Sequence, residues 1–248
     1  MSILRSPQGC PWDREQIHKS IRNDFIEEVY EAIEAIDLDT ELLKEELGDV
    51  LLQIIFHCRI EEEKSCFDFD DICDELCKKL IIRHPHVFGD ITVSDSGEVL
   101  KNWDSIKKET KGQTSYTETL TSVAKSLPAL MRAQKVGKRA MRAGMDFSCV
   151  SDAVERVKSE TDELEEAIRS GKKDDIYEEL GDLLFSCVNT ARHLNIDAEE
   201  ALTRATEKFI ERFAETEDLV RLDGADMKAL SIDQLDVYWN KVKRRAED

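Results

Sequence analysis

Residues 45–58 read EELGDVLLQIIFHC, and residues 178–193 read EELGDLLFSCVNTARH. Plotted at about 100° per residue, Leu43, Leu47, Val50, Leu51, Ile54, Ile55 and Cys58 form one broad apolar face of a helix, and Leu52 and Phe56 a second. Glu46, Asp49 and Gln53 fall in a narrow polar strip between them. The later copy repeats the layout, with Glu179, Asp182, Ser186 and Asn189 in the strip and Leu183, Leu184, Phe185, Cys187 and Val188 around it. A helix that is apolar nearly all round is expected to be buried, which puts both acidic strips inside the fold.

The rest of the chain follows the same helical period. Ile21, Phe25, Val29, Ile33 and Ile36 line one face of a helix over roughly 20–37, and Ile72, Leu76 and Leu80 one over roughly 69–82. Further helices are expected around Trp103 and over roughly 121–142, 150–170, 173–194, 197–221 and 231–246, with no alternating strand pattern. The polar stretch TKGQTSYTET (110–119) reads as a linker. Blocks recur in order across it: EEVYEAIEAI (27–36) answers SETDELEEAI (159–168), KKLIIRH (78–84) answers EKFIERF (207–213), and NWDSIKKE (102–109) answers YWNKVKRR (238–245). Matched blocks in the same order imply a duplicated domain. The expectation is an all-α protein of two duplicated helical-bundle domains, residues 1–112 and 113–248.

Composition narrows the partners. Lys and Arg number 35 against 54 Asp and Glu, a formal net charge of -19 among 248 residues. Nucleic-acid binding needs a positive footprint, so this balance argues against it. No apolar run approaches a membrane span, and seven cysteines without a disulfide-like spacing fit a reducing cytoplasm. An anionic substrate would need a local basic cluster or a bound cation to offset the field.

The carboxylates supply a place for that cation. Glu28 and Glu31 lie three apart on one helix, as do Glu46 and Asp49 on the next, and a short connection makes the two helices antiparallel neighbours. Glu160, Glu163, Glu179 and Asp182 repeat the arrangement. A solvated acidic face explains any one pair, but four carboxylates converging in a partly buried pocket must take up protons or bind a cation. An oxygen-only set suits Mg²⁺, with Mn²⁺ as a substitute, and Glu-x-x-Asp in place of Glu-x-x-His in both strips argues against a di-iron centre. Mg²⁺ held this way completes its shell with water and substrate phosphates. Lys79 with Arg83, recurring as Lys208 with Arg212, are candidate phosphate contacts. Trp103 with Lys107, recurring as Trp239 with Lys243, could stack a base and meet a phosphate. Packing between helices explains either Trp equally well. The basic run QKVGKRAMR (134–142) reads better as a solvated helix face.

Taken together, GCPWDREQIHKSI, EEVYEAIEAI, EELGDVLLQI, IRHPHVFGD and EELGDLLFSCVNTARHL resemble the MazG family of nucleoside triphosphate pyrophosphohydrolases, in its two-domain form and over essentially the whole chain. The resemblance implies an all-α pyrophosphatase fold, a homodimer, and Mg²⁺-dependent conversion of a nucleoside triphosphate to its monophosphate and pyrophosphate. The family's Glu-Glu-x-x-Glu block and following Glu-x-x-Asp fall on Glu27, Glu28, Glu31, Glu46 and Asp49. Glu27, Glu46 and Glu179 are the candidate catalytic carboxylates, with Glu27 a general base or second-metal ligand. In the second half Ser159 stands where Glu27 stands in the first, leaving Glu160, Glu163, Glu179 and Asp182.

Two other classes of reading remain at this stage. A related pyrophosphohydrolase could take a narrower substrate, such as dUTP or phosphoribosyl-ATP, and a non-catalytic helical adaptor would use the acidic strips as polar seams. Cys58, Cys66, Cys73 and Cys77 near His57 do not follow a zinc-ribbon spacing and read as free thiols. His84 and His86 read as parts of a turn around Pro85.

Overall fold

A computed structural model describes residues 1–38, 41–110 and 112–245, among which no strand occurs. The chain divides into two compact units, Met1–Thr110 and Lys111–Asp248.

The first unit holds α1 (Pro11–Glu15), α2 (Arg22–Asp37), α3 (Leu43–Glu62), α4 (Phe69–Arg83), α5 (Pro85–Phe88) and α6 (Ser96–Thr110). Its principal packing is α2 against α3, with α4 against α5 and α6. Ile21, Phe56 and Ile60 make a small core against which Met1 rests. Arg5 fastens the N-terminal segment over it. The guanidinium lies 5.4 Å from the Phe56 ring centre, donates to Glu63 at 2.9 and 2.7 Å, and donates to the Gln16 carbonyl at 3.1 Å. Asp68 opens α4 with a reciprocal cap, accepting from the Asp71 amide while the Asp71 carboxylate accepts from its own.

The second unit holds α7 (Tyr116–Thr121), α8 (Ala129–Arg142), α9 (Val150–Ser170), α10 (Lys173–His193), α11 (Ala198–Leu222), a 3₁₀ turn at Met227–Ala229 and α12 (Ile232–Arg245). The α9–α10 hairpin dominates, with α8 across α10 and α12 along α11. Gly171 ends α9 in the left-handed conformation (φ 70°), which lets the chain reverse directly into α10. Gly137 brings α8 close to α10: a Cβ there would lie 2.7 Å from Asn189 Oδ1. Gln134 ties α8 to the α10–α11 turn, donating to the Ile196 carbonyl at 2.9 Å and accepting from the Ala198 amide at 3.0 Å.

Four expectations from the sequence are corrected here. The buried positions of α2 are Ala32 and Ala35, with Ile21 buried just before it, whereas Val29, Ile33 and Ile36 are exposed. On α3, Gln53, Phe56, Cys58 and Ile60 are buried, but Leu47, Leu51 and Leu52 remain 44–52% exposed. The helix is therefore not buried all round within one chain, because α2 covers only one of its sides. The expected linker at 110–119 instead contains the start of α7, since Ser115 and Glu118 form a capping box. The helix expected from about residue 121 begins at Ala129, because Pro128 fits only at a helix start.

Candidate metal and active site

In the first unit α2 carries Glu28 and α3 carries Glu46 and Asp49, each half-buried, and one carboxylate oxygen from each lies within 4.8 Å of the others. The helical period turns the two α3 residues to one side, and the small Ala32 and Ala35 side chains let α2 approach that side. The crowding registers in the proton affinities. Partial desolvation raises the Glu28 carboxyl above the ordinary range, and repulsion from Asp49, Glu31, Glu46 and Glu27 raises it further. Glu46 is raised in the same way, by desolvation first and then by Glu31 and Asp49. Glu27 and Glu31 themselves are exposed on α2. One turn past Asp49, Gln53 is buried and its Oε1 has no hydrogen-bond partner.

The second unit repeats the geometry on α9 and α10. Oxygens of Glu160, Glu179 and Asp182 lie within 4.8 Å of one another. Glu179 is raised by desolvation and by Glu163, Asp182 and Glu160. Glu160 is only 3% exposed. Its Oε1 accepts from Arg156 Nε at 2.6 Å and from Ser186 Oγ at 3.5 Å, and its Oε2 has no partner. Glu163 accepts from Ser159 Oγ at 2.8 Å and from Arg156 Nη1 at 3.3 Å. Arg156 escapes a reading of the sequence because an Arg four residues before a Glu is an everyday surface pair. The signal that finds it is the duplication: Asp24 stands at the same place in the first copy.

These clusters fit a hard divalent cation. The donors are all oxygen, they converge within ligating distance, and the buried Glu160 Oε2 lacks a hydrogen-bond donor. No such convergence of Cys and His occurs among the described residues. Cys58 is buried while Cys66, Cys73 and Cys77 are exposed, and His57 is engaged with His18 at 2.7 Å.

The basic and aromatic residues gather on other helices. Arg83 on α4 lies 5.4 Å from the centre of the Trp103 ring on α6, and His84 meets the same indole edge-on at 4.8 Å. That indole is thus packed by its own chain. Lys79 is exposed and lines a cleft of about 450 Å³ with Phe67, Asp71, Ile72, Glu75 and Leu76. Lys107 is half-buried on α6. In the second unit Phe209 on α11 packs 5.1 Å from Trp239 on α12. Lys208 is exposed, Lys243 is half-buried, and Arg212 keeps a buried Nε without a partner. Among the described residues no hydrogen bond, ion pair or ring contact joins either basic–aromatic set to a carboxylate cluster.

The chain is all-α, with two helix pairs that each bring three carboxylates into a cluster of a size to hold a cation. The comparisons with known proteins make this description specific. The model of the MazG nucleotide pyrophosphohydrolase domain matches residues 16–88 and 150–215. The chain is 44% identical over 246 residues to the nucleoside triphosphate pyrophosphohydrolase/pyrophosphatase MazG of Thermotoga maritima, covering 98% of this chain and 92% of that protein. It is 42% identical over 252 residues to the nucleoside triphosphate pyrophosphohydrolase of Escherichia coli K12, covering 100% and 96%. It is 43% identical over 242 residues to the Bacillus subtilis protein YabN, covering 97% of this chain and 49% of the other. The chain belongs to the MazG family.

Proposed function

We propose that this protein is a Mg²⁺-dependent nucleoside triphosphate pyrophosphohydrolase that converts NTPs and dNTPs to monophosphates and pyrophosphate, acting as a homodimer in nucleotide-pool housekeeping in the cytoplasm. Family membership makes it a hydrolase of phosphoanhydride bonds. The observation that carries the metal reading is the pair of three-carboxylate clusters. Glu28, Glu46 and Asp49 in one unit, and Glu160, Glu179 and Asp182 in the other, would hold the ion, with Glu31 and Glu163 adding negative charge beside it. When bound, the ion neutralises and orients the phosphates.

The remaining work falls to the chain's own groups. Glu27 is exposed beside the first cluster and is the carboxylate available to take a proton from an attacking water. Ser159 occupies that position in the second unit and donates its proton to Glu163, so it supplies no base. Lys79 and Arg83, or Lys208 and Arg212, would meet the charge that develops on departing pyrophosphate, and Trp103 or Trp239 with Lys107 or Lys243 would flank the nucleotide. These residues lie on other helices than the carboxylates. The exposed apolar faces of α2 and α3, with Val29, Ile33, Ile36, Leu47, Leu51 and Leu52, support their being covered by a second copy.

The test is a panel of NTPs and dNTPs incubated with the full chain in Mg²⁺ and again in excess EDTA, with monophosphate, pyrophosphate and orthophosphate measured separately. Equal monophosphate and pyrophosphate, lost with EDTA, is expected. Orthophosphate as the principal product, or turnover indifferent to EDTA, overturns the reading. Sedimentation or light scattering at the monomer mass overturns the dimer.

A further inference from the structure

The two clusters differ in one respect that spacing conceals: the second already contains a cation. Arg156 lies one turn before Glu160 on α9 and bridges Glu160 and Glu163, at 2.6 and 3.3 Å. In the first unit the same position is Asp24, and among the described residues no Lys, Arg or His lies within 4.0 Å of Glu28, Glu46 or Asp49. The exchange of Glu27 for Ser159 runs in the same direction, so both differences leave the first cluster the more negative. The floors of the clusters differ as well. Gln53, buried with an unpartnered Oε1, brings the first an additional neutral oxygen, where Ser186 in the second spends its hydroxyl on Glu160.

We propose that Arg156 is a tethered counter-ion that competes with the divalent cation for the second cluster, so that one chain holds two unequal cation sites, the N-terminal one the tighter. This rests on the metal reading of the previous section. Arg156 does not close the second site. Glu160 is engaged through Oε1 alone, its buried Oε2 has no hydrogen-bond partner, and one oxygen of Glu160 lies within 4.8 Å of oxygens of Glu179 and Asp182. An entering ion must share or displace the guanidinium, which repels it at close range and occupies part of Glu163. The Arg156 side chain is 45% exposed, so it can swing into water without opening the core. The protein thereby keeps a buried carboxylate at the second site charge-compensated when no metal is there, and in return binds metal there more weakly.

The test is a Mn²⁺ titration of the nucleotide-free full chain, read by electron paramagnetic resonance of free Mn²⁺ and repeated by calorimetry with Mg²⁺. Two classes of site per chain are expected. E46Q/D49N should remove the tighter and E179Q/D182N the weaker. R156Q should tighten the weaker class by about tenfold, the scale of one unit charge a few ångströms from the ion in a half-solvated setting, without moving the other. R156K, which keeps the charge, should leave the weaker class within about threefold of wild type; this separates a charge effect from local unfolding of α9. A weaker class that is unchanged or loosened by R156Q, or a tighter class that vanishes in E179Q/D182N, overturns the proposal while leaving the metal reading intact. Absence of Mn²⁺ binding at either cluster overturns both.

Discussion

The α2–α3 pair and the α9–α10 pair are two writings of one device. In both, a helix carrying EELGD offers an acid pair to a further acid on the preceding helix, and in both the oxygens converge within 4.8 Å. They part in how the negative charge is managed. Desolvation, and then mutual repulsion, makes Glu28 and Glu46 of the first pair hold their protons more tightly, as it does Glu179 of the second. The second buries Glu160 almost completely and neutralises it with Arg156. The positions of the carboxylates repeat while their surroundings differ, so similarity in EELGD does not make the two clusters equivalent.

The sharpest way to break that comparison is to disable each copy alone. Glu46→Gln and Glu179→Gln each remove a convergent oxygen with little change in volume. The double variant is expected to lose pyrophosphate release by at least about a hundredfold, the scale of losing a metal ligand or its close support. Of the two singles, Glu46→Gln is expected to cost more, because only the first unit carries Glu27. A double variant with wild-type pyrophosphate release would remove the carboxylate clusters from the mechanism altogether.

A gain tests the same asymmetry from the other side. In a Glu46→Gln background, Ser159→Glu supplies the second unit with the carboxylate it lacks and is expected to raise residual turnover by about tenfold, at the low end of what a positioned base contributes. Because Ser159 now holds Glu163 at 2.8 Å, the new carboxylate also frees Glu163. Unchanged or reduced turnover in this variant would mean that position 159 is not where the first unit's advantage lies.

These differences also mark where the sequence could be read and where it could not. The helices and three of the four carboxylates expected in each unit were legible because both depend on local period, whereas Glu31 and Glu163 are not among the converging groups. The inward face of α2 was not. Ile33 and Ile36 look like core by hydrophobicity, yet the buried positions are Ala32 and Ala35, where small side chains allow α3 to approach. Hydrophobic pattern reports that a surface will be covered and is silent on whether the cover belongs to the same chain. Arg156 was hidden for a related reason: a helical Arg–Glu pair is ordinary on a surface, and only the depth of Glu160 makes it consequential. The start of α7 inside the polar stretch could have been anticipated, since Ser115 and Glu118 are spaced as a capping box.

Glycines separate what is packed within a chain from what is not. Gly137→Ala would set a methyl 2.7 Å from Asn189 Oδ1, which accepts from Arg192 Nε, so the amide cannot turn away without losing that bond. A loss of about 1–2 kcal/mol is expected in chemical denaturation, overpacking outweighing the helix propensity gained. Gly48 and Gly181, one in each EELGD, would have nothing within 4 Å of an added Cβ. Alanine there is expected to stabilise the chain by roughly 0.5–1 kcal/mol. If the chain forms the proposed dimer, its loss in Gly48→Ala or Gly181→Ala would show that a second copy uses that bare surface.

The smallest expected effect is a difference in acid sensitivity between the two units. His57 on α3 lies 2.7 Å, Nδ1 to Nδ1, from His18, whose Nε2 is 2.5 Å from Glu61; Lys64 pairs with Glu61 from the other side at 2.6 Å. Two facing ring nitrogens can share one proton and not two. Burial, and then the neighbouring His18, push the His57 imidazole below its ordinary value. A group whose folded proton affinity is lowered contributes stability that is present above its unfolded value, near 6.5, and lost as pH falls through the folded value. Glu61 does not oppose this, since Lys64 and His18 hold it at about 2 and it stays charged throughout the window. At the matching position of α10 stands Thr190, and the nearby Asp146, held at about 2 mainly by Arg192, keeps its charge down to far lower pH. Between pH 7 and 5.5, backbone hydrogen exchange corrected for its intrinsic pH dependence should therefore speed up a few-fold at the end of α3 and stay constant at the end of α10. His57→Gln should flatten the α3 response, and equal acceleration in both units would locate the acid sensitivity outside the His18–His57 pair.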